Sequence, residues 1–147
     1  MKKTLLAALL STIGLAAHAD ITDNLIGQSI QQQCNYKAGF FKLGYGAAAV
    51  NMSPHDSYLQ LYERDKILYQ DKFIEPSERD MEMIMIYITK GYEAGMARKE
   101  QKIKWENERE EGLFKGLIVD VPLSHSEREA ATIIFERNCV YNKEQSL

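Results

Sequence analysis

The stretch over residues 23–50, DNLIGQSIQQQCNYKAGFFKLGYGAAAV, decides the fold class. Within it Ile26, Ile30, Cys34, Ala38, Phe41, Tyr45 and Ala48 recur at steps of 4, 4, 4, 3, 4 and 3, which strings them along one face of an α-helix. Gln31, Gln32, Asn35 and Lys42 fall off that line. The spacing predicts an amphipathic helix over 23–50 with Cys34 on its inward side.

Working outward, Asn51-Met52-Ser53-Pro54 breaks this helix and starts another. Ser53 suits the N-cap, Pro54 the first helical position, and Asp56 the orphan amides of the first turn. The second helix is expected to end near Asp71, with an apolar line of Leu59, Tyr62, Tyr69 and Phe73, and Tyr58, Leu61 and Leu68 beside it. Glu75-Pro76-Ser77 punctuates again, and Asp80 stands where the acid of a capping box belongs. Met81, Ile84, Met85, Ile88, Tyr92 and Met96 then form a stripe, and the unbroken apolar run 83–88 marks this third helix as the expected central one. Gly91 and Gly95 cost helix propensity and read as a notch for a closely approaching helix.

After Met96 the composition changes. Between 98 and 111 only Ile103 and Trp105 are strongly apolar, so a solvated helical extension is expected, supported by the pairs Glu100/Lys104, Lys102/Glu106 and Lys104/Glu108. Gly112 ends it. Residues 113–122 look strand-like but find no second strand, and are expected as an extended connector packed on the core. Ser124 with Glu127, or Ser126 with Glu129, caps a last helix that turns Ala131, Phe135 and Cys139 inward. The result is an all-α fold, a small bundle of about four helices with a charged helical extension.

The first nineteen residues read differently. Lys2 and Lys3, the apolar runs 5–10 and 13–17, and Ala17-His18-Ala19 compose a secretory signal peptide cut before Asp20. Thr4, Ser11, Thr12, Gly14 and His18 interrupt the run, so it falls short of the roughly 20 apolar residues of a membrane span. The single domain is then 20–147, with 16 basic and 21 acidic residues and a net charge of −5. That balance gives no field for a nucleic-acid backbone. Apolar and charged shares of 45% and 27% exclude both a disordered chain and a multispan membrane protein. A soluble periplasmic product is expected. In that oxidising compartment Cys34 and Cys139 are expected to pair, a staple that the chain-entropy model credits with up to about 4.7 kcal/mol for a loop near 100 residues.

Several constellations carry chemistry on paper. Gly44-Tyr45-Gly46-Ala47-Ala48-Ala49, with Glu63 downstream, satisfies a loose dinucleotide pattern, but it lies inside the helical stripe and lacks the strand that must precede it. Met81 and Met85 share a helix face and are soft-metal candidates, against the plainer reading of adaptable core filling. His55 and His125 stand beside helix starts, and Ser124-His125-Ser126 lacks any nucleophile elbow. No acid pair is placed in a dry cleft, and the tyrosines fit core edges. Trp105, Leu113 and Phe114 are the candidate partner-binding residues, anchors set among mixed charge, and for Trp105 a position folded back on the core stays open.

No motif identifies a family. The expectation is a non-catalytic protein of the inhibitor or immunity type that binds another periplasmic protein and needs no cofactor. Its rivals are a periplasmic metal-binding protein or hydrolase using His55, His125 or the Met81/Met85 cluster, and an envelope-stress or chaperone-like component.

Overall fold

A serine starts each α-helix among the described residues. Ser29, Ser53, Ser77 and Ser124 each accept a hydrogen bond from the backbone amide three residues on, satisfying a donor that no helical carbonyl can reach. The computed structural model describes residues 28–145, and these form α1 (Ile30–Ala49), α2 (Pro54–Tyr69), α3 (Glu78–Arg109) and α4 (His125–Glu144). Short 3-10 turns follow α2 at Gln70–Lys72 and α3 at Gly112–Phe114. There is no strand among the described residues. The expected signal peptide, its cleavage point and Ile26 lie outside them.

The bounds follow the caps. α1 begins at Ile30, later than the apolar spacing suggests, because Ser29 and Gln32 close a reciprocal capping box there. The boxes Ser77/Asp80 and Ser124/Glu127 form as expected, and the latter decides between the two alternatives for α4. Asp80 is itself buried.

The central helix is α1, which corrects the expectation for α3. α1 touches all three other helices, and its contact with α3 is the most extensive. Beyond the expected line, Tyr36, Phe40, Gly44 and Ala47 are also buried, so α1 is covered on more than one side. α3 instead buries one narrow line, Ile84, Ile88, Gly91 and Gly95, and leaves Met81, Ile86 and Met96 exposed. An apolar run has neighbours all round only when other elements reach each side, and for 83–88 they do not.

Glycines set the α1/α3 spacing. A β-carbon on Gly44 would lie 1.8 Å from the Ile88 carbonyl oxygen, and one on Gly91 1.8 Å from that of Phe41. At Gly95 it would meet the Ala48 β-carbon at 2.6 Å. Backbone therefore packs on backbone, as the notch at Gly91 and Gly95 implies. Gly44 faces Ile88, Ala48 faces Gly95 and Asn51 bonds Lys99, so the two helices run in the same direction. α4 runs against α1: the Cys34–Cys139 disulfide joins one end, Phe41 stacks on Phe135 at 4.5 Å, and Arg128 lies over Gly46.

α2 turns a different face inward than its apolar residues suggest. Ser57, Tyr58, Leu61 and Asp65 are buried, whereas Leu59, Ile67 and Leu68 are exposed. The helix meets the bundle on one side only, along a line that fits Tyr36, Phe40 and Ile84, and residues off that line stay in solvent whatever their hydropathy. None of the helices is long and apolar enough to cross a membrane among the described residues.

Candidate functional site

The last three turns of α3 carry the polar framework of the molecule. Lys99 continues the i, i+3/i+4 line of Ile84, Ile88, Gly91 and Gly95 and is 2% exposed, which corrects the expectation that 98–111 is solvated throughout. Its Nζ donates to Asn51 Oδ1 at 2.8 Å and pairs with Asp120 Oδ1 at 2.9 Å. Asn51 Nδ2 donates in turn to Asp120 Oδ2 at 3.1 Å. Asn51 follows the end of α1 at φ 57°, a left-handed conformation that asparagine tolerates, so its amide is free to join the far end of α3 to the connector. The Lys99 ammonium, then the Asn51 amide, hold the Asp120 carboxyl below its ordinary range.

Glu127 is the second fixed point. Arg98 Nε reaches its Oε1 at 2.9 Å and Lys102 Nζ its Oε2 at 3.1 Å, while the Ser124 amide donates to Oε2 at 2.8 Å. The Ser124 amide foremost, with Lys102 and Arg98, pushes the carboxyl down to about 2. Lys102 also donates to the Pro122 carbonyl at 2.7 Å. Long-range partners thus take up Lys102 where a local pair with Glu106 was expected. Of the three expected i, i+4 pairs, Lys104–Glu108 is seen among the described residues, at 4.0 Å.

Asn107 holds the connector like a strand edge. Its Nδ2 donates to the Ile118 carbonyl and its Oδ1 accepts from the Ile118 amide, both at 2.9 Å. Between this clamp and the end of α3 the chain makes a protruding tip. Gly112 at φ 77° and Gly116 at φ 78° supply left-handed turns closed to most side chains, and bracket Leu113-Phe114-Lys115. Leu113 is 91% exposed and Phe114 68%, and Leu117 and Val119 are exposed behind them. Of the connector only Val121 is buried, so polar tethers hold it, in place of the expected apolar packing on the core. Glu106, Glu108, Glu110 and Glu111 give the base of the tip an acidic excess.

Trp105 does not fold back on the core. It is 54% exposed, and the Arg109 guanidinium lies 4.4 Å over its ring. Two residues apart on a helix, Trp105 and Asn107 point about 160° apart around its axis. The structure therefore sets Trp105 on the side of α3 away from the clamp, while Leu113 and Phe114 stay together.

The remaining candidates separate. Met81 and Met85 line an open groove of about 690 Å³ with His55, Tyr58 and Lys90 between α2 and α3. Met81 is exposed and fills no core, and His55, remote in sequence, is brought to the same groove. Among the described residues no group of three or more His, Cys, Asp or Glu is placed to hold a metal ion. His125 is exposed, with Nδ1 2.9 Å from Arg128 Nη2 and Nε2 3.5 Å from Glu129. The Ser124 and Ser126 hydroxyls lie 3.0 Å from each other, and that of Ser124 also caps α4. Gly44 and Gly46 sit within α1 and form no phosphate-binding loop, since Gly44 is pressed against Ile88.

Sequence reasoning missed Asn51, Lys99, Asn107 and Asp120. Lys99 had a signal, its place on the buried line of α3. The others act through tertiary partners that no local spacing reveals. Comparison of the chain with known protein families, with curated proteins and with solved structures finds no match.

Proposed function

We propose that this is a non-catalytic periplasmic protein of the inhibitor or immunity type, exported by its signal peptide, which binds another protein through the tip at Leu113 and Phe114. The observation that carries the reading is the placement of those two side chains. They are among the most exposed apolar residues described, on a turn tied at its base by the Asn107–Ile118 pair. A loop that merely connects helices has no use for such residues, whereas a tethered apolar wedge spends less entropy on entering a partner's pocket. The acidic excess at its base and the net charge of −5 favour a protein with an apolar pocket and a basic rim. An anionic lipid surface would repel the same group of charges.

Photo-crosslinking in the source periplasm tests this, with the reactive residue placed at 113 or 114 and, for comparison, at the exposed apolar positions Ile67 and Ile134. The expected result is one protein joined from the tip positions, which then forms a stoichiometric complex with the mature chain when both are purified. Crosslinks from Ile67 or Ile134 with none from the tip would overturn the reading.

A second reading rests on the groove where His55 joins Met81 and Met85. Two thioethers and an imidazole suit Cu(I) better than a hard cation. Cu(I) binding that Met81→Leu and Met85→Leu both weaken would favour it, and no binding above that of the double variant would remove it.

A further inference from the structure

A small cavity lies where α1, α2 and α3 meet, lined by the aromatic residues Tyr36, Phe40, Tyr58, Tyr62 and Phe73 and by Asp65. Its volume is about 30 Å³. Asp65 is 1% exposed. Its Oδ1 accepts from Arg64 Nε at 3.1 Å and Nη2 at 2.9 Å, but its Oδ2 has no hydrogen-bond partner. The buried hydroxyl of Tyr58, a residue that also lines the cavity, has none either.

Leaving a buried polar atom unpaired costs about 1–3 kcal/mol, and more when it is charged. Two residues that carry such atoms line this one cavity, which calls for an occupant that donates hydrogen bonds. Asp65 Oδ2 can only accept in its ionised form, so the occupant must bring N–H or O–H groups. The aromatic walls add a preference of their own, because π faces attract cations. A quaternary ammonium has the charge but no N–H. A metal ion would need more oxygen ligands than Asp65 and Tyr58 supply. A primary ammonium has both the charge and the donors. On this measure a single water needs about 10–15 Å³, so the space suits a group about the size of methylammonium.

We infer that this cavity binds the primary ammonium head of a small alkylamine, with Asp65 Oδ2 and the Tyr58 hydroxyl as its hydrogen-bond partners and the surrounding rings against its carbon. The site is independent of the connector tip and does not rest on the binding reading given for it. Arg64 stays outside, half exposed, and fixes the carboxylate by its other oxygen. Phe73, Ile74 and Pro76, from the chain that connects α2 and α3, complete the wall.

Nuclear magnetic resonance on the isotope-labelled mature protein tests the inference, with methylammonium chloride as the probe and sodium chloride at equal ionic strength as the control. The expected result is a saturable set of shifts centred on Tyr58 and Asp65, with Overhauser contacts from the probe's methyl protons to the rings of Tyr36 and Tyr58. Tyr58→Phe, which keeps the ring, should weaken binding about tenfold, the size of one hydrogen bond to a charged group. Tetramethylammonium should give no saturable shift. Overhauser contacts to water alone, in the presence of methylammonium, would show a hydrated void and overturn the inference. Equal affinity in Tyr58→Phe and Asp65→Asn would overturn it as well.

Discussion

Gly91 and Gly46 are both glycines within helices, yet their surroundings ask opposite things of them. At Gly91 a β-carbon would meet the Phe41 carbonyl, which is backbone and cannot step aside. At Gly46 it would meet only the flexible Arg128 side chain, at 3.3 Å. Gly91→Ala should therefore lower stability by about 1–3 kcal/mol or more through overpacking. Gly46→Ala should be neutral or gain up to about 1 kcal/mol from helix propensity. Urea unfolding of the two variants checks both signs, and equal effects would mean that the α1/α3 spacing is not set by glycine. The notch at Gly91 and Gly95 was legible in the sequence, because glycines four apart in a helical stripe have few other uses. Lys99 was not read, although it extends the same line. A charged residue on a buried stripe makes sense only once its partners Asn51 and Asp120, 48 positions before it and 21 after, are seen beside it.

At the scale of elements, α4 is held by a disulfide at one end and by ion pairs at the other, and the second attachment depends on pH. The Glu127 carboxyl lies at about 2 in the fold against an ordinary value of 4.5. A folded-state value below the unfolded one stabilises the fold fully above the unfolded value, and that stability is lost as pH falls from about 4.5 through about 2. A displacement of this size corresponds to about 3 kcal/mol at most. Glu129, held low chiefly by Lys42, adds to the loss in the same direction. Glu127→Gln should lower the melting temperature at pH 7, and the gap from the unsubstituted protein should close as both are acidified toward pH 2. A gap that stayed constant with pH would show that Glu127 acts by packing alone. Capping boxes made the starts of α3 and α4 readable, since a serine and an acid three residues apart satisfy each other locally. The inward face of α2 was misread because hydropathy ranks Leu59 and Leu68 above Ser57 and Asp65, while position on the helix decides which of them meets the core.

For the whole molecule, the sequence was enough for an all-α bundle with one staple, because helical periodicity and two inward cysteines are local facts that survive any arrangement of the helices. Which helix is central was not readable. Periodicity reports that a face is apolar and says nothing of how many neighbours cover it, so the richly apolar run 83–88 outweighed a first helix that buries Ala38, Gly44, Ala47 and Ala48 along with its aromatic residues. Leu113 and Phe114 were found as candidates by their apolar character beside a charged stretch, but the clamp that holds them out depends on Asn107 meeting Ile118 across 11 positions. Under the proposed function this clamped tip, and no other apolar surface, carries the partner. Calorimetric titration of the purified crosslinked partner into the unsubstituted mature protein and into the Leu113→Ser/Phe114→Ser variant tests it most directly, with the melting temperature of each recorded alongside. The variant should bind at least about thirty-fold more weakly, the loss expected for a hot spot of roughly 2 kcal/mol, with no change in melting temperature. Unchanged affinity in a variant that melts like the unsubstituted protein would contradict it.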